Sequence, residues 1–243
     1  PIALDDTFSE GLFYNYLNLS DQYKTLLLQA DVDKLSKHKT LLDDQLKNTD
    51  IDFFNDFYPI LIQRIQMADT YYQEVLQKPF DFSKDEQFDT DYENKAFAAS
   101  EAEIKERWRK QLKFYALSYY KDLMDEREKN LQEGKPAKSL EEIEAEARES
   151  VRSNMQDYFT SLSERRREEW FYAYLSLISE SYDPHTEYLS PRDKETFDVE
   201  MSGKYFGIGA RLQKREGDVN VVELISGGHA WRFQDLEVVD IIL

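Results

Sequence analysis

The chain has 243 residues, 41% hydrophobic, 14% aromatic and 33% charged, enough for one large domain or two smaller ones and too aromatic for a disordered chain. Its formal charge of −18 argues against non-specific nucleic-acid binding and against an anionic membrane surface as partner, both of which need clustered Lys and Arg. With no cysteine it excludes disulfides and thiolate metal sites, and no stretch approaches the roughly 20 apolar residues that span a bilayer.

The sequence starts at Pro1 with no signal-peptide pattern, as a mature form or a fragment would. Phe8, Leu12, Phe13, Tyr16 and Leu17 recur at helical spacing and predict a first helix over 8–19. After the polar break at Ser20-Asp21-Gln22, Asp31-Val32-Asp33 predicts a second helix running to Lys47, its acidic first turn matched to the helix dipole. Asn48-Thr49-Asp50 is a turn and N-cap signal for a helix to about Gln77, which Pro59 should kink or split and Pro79 should end. A polar, aromatic-dotted loop follows over 80–91.

Ile104, Trp108, Leu112, Tyr115 and Tyr119 form one apolar stripe on a charged helix over 100–131, stopped by Gly134-Lys135-Pro136. Ser139 and Glu142 make a capping box for the next helix, through Ile143, Ala147, Val151, Met155 and Phe159, with a break near 161–163. Trp170 to Ile178 is a strongly apolar helix that Asp183-Pro184 should end. Six of the eight glycines then fall between Gly203 and Gly228, and the periodicity turns strand-like. Residues 207–212 and 219–225 read as strands joined at Gly217-Asp218, with a third over 238–243. The glycine shift sets the expected boundary: a multi-helix domain over 1–200 and a β-rich module over 201–243, mainly α overall.

Two sets of residues carry chemistry. Gly207, Ile208 and Gly209, with Phe206 before them, form a loop whose backbone amides can approach an anion with no Cβ in the way. His185 lies between Asp183 and Glu187, but a metal or acid–base site needs further partners, and His38 and His229 are distant in sequence; a turn capped by Asp183 is the better reading. The charged helices read as solvated faces and the Tyr and Trp stripes as core, although 16 Tyr and 15 Phe are enough for some to line a groove.

Asp183-Pro184-His185-Thr186-Glu187-Tyr188-Leu189-Ser190-Pro191, followed by Phe206-Gly207-Ile208-Gly209-Ala210, resembles the carboxy-terminal processing peptidases, or tail-specific proteases. Ser226-Gly227-Gly228 with Ala230-Trp231-Arg232 continues the likeness, and residues 26–47 resemble the family's N-terminal pattern. The resemblance implies a helical N-terminal domain followed by a truncated PDZ-like module. Phe206, Gly207, Ile208 and Gly209 would then hold the free carboxylate and last apolar side chain of a protein substrate. It implies a bacterial, periplasmic serine endopeptidase whose Ser–Lys dyad lies beyond this chain, so that no catalytic residue is expected here and the chain alone should be inactive. It also implies a bowl-shaped helical body that receives substrate or an adaptor protein, and no metal or organic cofactor.

The sequence departs from the family pattern at Phe206, where Glu is common, at His229, where Pro is usual, in the 233–234 turn, and at Val239, where Gly is expected. These departures bear on ligand affinity. They leave open the alternative of a non-catalytic peptide-binding or scaffold protein with a degenerate PDZ module.

Overall fold

The computed structural model describes residues 3–183, 185–202, 207–215, 218–233, 236–238 and 240–242. The chain divides into two compact units, Pro1–Tyr188 and Leu189–Leu243. Among the described residues, the regular elements of the first are all helices, apart from a single bridge between Leu28 and Ala98, and the second carries a small antiparallel sheet. A helical N-terminal part followed by a small β module is the architecture the residue pattern predicts.

In the first unit, α1 (Asp6–Ser20) is capped by Asp5, whose carboxylate accepts the Phe8 amide at 3.0 Å. Phe8, Leu12, Phe13, Tyr16 and Leu17 are all buried, as their spacing predicts. The expected single helix over 31–47 is instead three pieces: α2 (Gln29–Leu35), a 3₁₀ turn at Ser36–His38, and α3 (Leu42–Lys47). The buried His38 lies at this break, and its ring reaches Asp56 at 2.9 Å and Gln45 at 3.1 Å. Ser9 Oγ also accepts the Asp43 amide at 2.9 Å at the start of α3.

The central helix is α4 (Asp52–Val75), which packs against α2, α5, α6 and α7. Ile51 rather than Asp50 is its N-cap residue, and Asp50 accepts the Ile51 amide at 2.7 Å instead. Pro59 does not split it, because Pro59 and Asn55 both lie on the exposed face, where water can take the Asn55 carbonyl that proline leaves without a donor. The helix ends at Val75, before Pro79.

The long hairpin is α5 (Glu101–Gln132) and α6 (Leu140–Glu164), with Ser139 and Glu142 closing the expected capping box. Ile104, Trp108 and Leu112 are buried, whereas Tyr119 lies at the surface, where its hydroxyl accepts Asn154 Nδ2 at 2.6 Å. α6 continues through 161–163, and the chain turns only at Arg165 and Arg166, before α7 (Arg167–Tyr182). Phe53, Phe57, Tyr16 and Tyr174 pack ring against ring where α1, α4 and α7 meet, and Tyr16 donates its hydroxyl to the Trp170 carbonyl at 2.9 Å.

The second unit contains α8 (Pro191–Ser202), β1 (Ala210–Arg215), β2 (Asp218–Leu224), α9 (His229–Phe233) and β3 (Ile241–Ile242). The sheet order is β1-β2-β3, antiparallel throughout, with an irregularity between Arg211 and Leu212. Asp218 belongs to β2 rather than to the connecting turn, and Gly217 lies outside the described residues. Among the described residues the third strand is Ile241–Ile242; Val239 and Leu243, also within the expected 238–243, lie outside them.

Candidate functional site

The expected binding loop leads into β1. Phe206 lies outside the described residues; Gly207, Ile208 and Gly209 lie within them. Gly209 has φ +78, a conformation that a side chain disfavours. Its carbonyl accepts the Ile225 amide at 2.9 Å, and the Ile208 carbonyl accepts the Ala230 amide, in the first turn of α9, at 2.8 Å.

These two bonds fix which way the neighbouring amides face. In a planar trans peptide the C=O of one residue and the N–H of the next point in opposite directions, and the chain has no cis bond among the described residues. The Gly209 N–H therefore points away from Ala230, and the Ala210 N–H away from Ile225 and β2. The pairing agrees. Ala210 lies opposite Leu224 while Ile225 bonds Gly209, the arrangement in which a strand residue turns its amide outward. Among the described residues β1 is paired as a strand only with β2, so the Ala210 amide faces the outer edge of the sheet.

Ile208 is about half exposed beside this edge, at 48%. Arg211 forms an exposed ion pair with Glu223 on β2, at 2.8 Å. Sequence reasoning did not select Ala210 because it looked for glycine amides. Its position directly after the Gly-Ile-Gly loop, as the first residue of an edge strand, was the available signal.

The departures from the family pattern are only partly described. His229 is the first residue of α9 and stacks on Phe233, with ring centroids 4.4 Å apart. Phe233 is helical and exposed, while Gln234 and Val239 lie outside the described residues. In the helical unit, Asp183 Oδ1 accepts the His185 amide at 2.9 Å and the Asp183 carbonyl accepts Thr186 at 2.8 Å, the capped turn that the sequence suggests.

Most aromatic side chains serve the core of the first unit, as expected of stripes at helical spacing. Tyr16 and Tyr174 have their hydroxyl pKa pushed up by burial. A second group lies nearer the surface: Tyr23 against Tyr92 at 5.0 Å, and Phe88 against Phe114 at 5.1 Å. Among the described residues, no helix is long and apolar enough to cross a membrane.

Comparison with known proteins bears on the whole chain. The profile of the family described as Tail specific protease N-terminal domain matches residues 1–192. A tail-specific protease of Haemophilus influenzae is 29% identical over 243 residues, covering 100% of this chain and 32% of that protein. A probable CtpA-like serine protease of Staphylococcus aureus is 34% identical over 56 residues, 23% of this chain and 11% of that protein. The chain thus spans about a third of the length of the Haemophilus protein and a smaller part of the Staphylococcus one.

Proposed function

The chain belongs to the tail specific protease family, and from that premise we propose that it is the substrate-selecting part of a serine endopeptidase that acts on proteins with apolar C-termini. The observation that carries this reading is the Ala210 amide, which faces the outer edge of β1, with the Gly209 amide beside it turned away from Ala230. A free carboxylate accepts from such amides, and the residues before it add to β1 as a further strand. Phe206 and Gly207 precede these residues of the chain in the sequence, and Ile208 offers apolar surface to the last side chain.

In this reading residues 1–200 form the helical domain and residues 201–243 the first part of a PDZ domain. The helical domain receives the body of the substrate or an adaptor protein. Peptide-bond hydrolysis is performed by a serine that a lysine activates, with both residues outside this chain, and the whole protein works in the periplasm. The 243-residue chain on its own binds and does not cut.

Fluorescence anisotropy tests the binding half. A labelled peptide ending in two apolar residues should bind the 243-residue chain as the free acid and lose that binding as the C-terminal amide. Equal affinity for acid and amide would overturn the reading.

A further inference from the structure

β1 is a basic strand on an acidic protein. Its six residues include Arg211, Lys214 and Arg215 and no anion, whereas the whole chain carries −18. The direction of an added peptide follows from the site. With its carboxylate at the Gly209 and Ala210 amides, an antiparallel peptide runs its upstream residues from Arg211 toward Arg215. At about 3.4 Å per residue, β1 lies beside roughly the last six residues of that peptide.

Arg211 already has a carboxylate partner in Glu223. The two side chains are 71% and 56% exposed, however, so the pair is a surface one that contributes little and yields readily to a competing carboxylate.

We infer that the peptide accepted here carries acidic side chains shortly upstream of its apolar end, and that Arg211 sets this preference. The inference rests on the carboxyl-terminus reading proposed above and adds a substrate class to it. The competing explanation is that basic residues on an edge strand only prevent edge-to-edge pairing of protein copies.

The test is a peptide series with one common apolar ending and two Glu, two Gln or two Lys among the third to sixth residues from the end. Each is made as acid and as amide and titrated against the 243-residue chain. At about 20 mM salt the Glu acid should bind about tenfold tighter than the Lys acid, the sum of a few exposed pairs. The ratio should shrink at about 0.5 M salt, as screening shortens the reach of the charges. R211E should remove the preference.

Equal binding of the three acids, each still better than its amide, would overturn this inference and leave the terminus reading standing. A charge preference unchanged by R211E would also overturn it. Equal binding of acids and amides would overturn both readings.

Discussion

Gly209 and Gly228 meet backbone to backbone. A Cβ added to Gly209 would lie 2.8 Å from the Gly228 Cα, and one added to Gly228 would lie 2.9 Å from the Gly209 Cα. Both neighbours are main-chain atoms, so no side chain can move aside. The contact lies beside the loop carbonyls that accept Ile225 and Ala230, and those bonds turn the Ala210 amide to the strand edge and the Gly209 amide away from Ala230. The two glycines approach each other too closely for a side chain on either.

Alanine at these positions should separate contact from conformation. Gly209→Ala meets both a clash and a φ of +78, and Gly228→Ala meets the clash together with the Ile225 carbonyl at 2.9 Å. Gly227→Ala has open space and only its φ of +81, a cost of about 1–2 kcal/mol. Hydrogen exchange of the β2 amides should accelerate strongly in the first two variants and only modestly in the third. Unchanged protection in Gly228→Ala would show that the contact does not hold the loop.

Asp21 is a second residue whose role is set by its backbone partners. It is buried at 2% exposure, with Oδ1 accepting Thr25 at 2.8 Å and Oδ2 accepting Leu26 at 3.1 Å and Leu27 at 2.8 Å. Burial pushes its pKa up, and these amides pull it back down. Asp21→Asn faces at least one of the three amides with an NH₂ donor, and should cost about 2–3 kcal/mol in urea unfolding, with Asp21→Ala costing more. A loss below about 0.5 kcal/mol for Asp21→Asn would mean that the turn holds without the carboxylate.

These two examples also show what the sequence could reveal. The buried stripe of α1, the capping box at Ser139 and the glycine shift after residue 202 were legible because each depends on neighbours in sequence. The break at His38 was not, since its partner Asp56 lies on another helix. α8 carried a local signal that was not taken up. Ser190 exchanges hydrogen bonds with Asp193 three residues on, and Pro191 occupies the first helical position. For the candidate site, the Gly-Ile-Gly loop was visible in the residues themselves. The direction of its amides came only from the bonds to Ile225 and Ala230, which are 16 and more residues away.

The end of α4 is closed from α6. The Leu76 carbonyl accepts Arg148 Nη1 at 2.8 Å and Arg152 Nη2 at 2.6 Å, placing two cations at a helix C-terminus, where the dipole favours them. Arg148 also bonds the buried Glu144 at 3.0 Å, and Glu144 accepts the Phe80 amide at 2.8 Å. Arg148→Ala leaves that carboxylate without its cation and should cost about 2–3 kcal/mol, against about 1 kcal/mol for Arg152→Ala. The double variant should cost less than the sum, because both side chains serve one carbonyl. Equal, small costs from urea unfolding would refute the ranking.

Glu86 fastens the long loop between α4 and α5, and its fastening depends on pH. Its carboxylate bonds Arg109 and Lys113 on α5, and the Arg109 bond, followed by that of Lys113, holds its pKa down from 4.5 to about 2. A depressed carboxylate pKa means that the folded chain binds the proton more weakly than the unfolded chain does. The stabilisation is therefore complete above about pH 4.5 and is lost as pH falls toward 2. Amides over 81–95 should exchange faster relative to α4 as pH drops through this window, once intrinsic exchange is corrected for. Glu86→Gln should show that faster exchange already at pH 7 and lose most of its acid dependence. If the variant kept the wild-type pH profile, the acid-sensitive fastening would have to lie elsewhere in the loop.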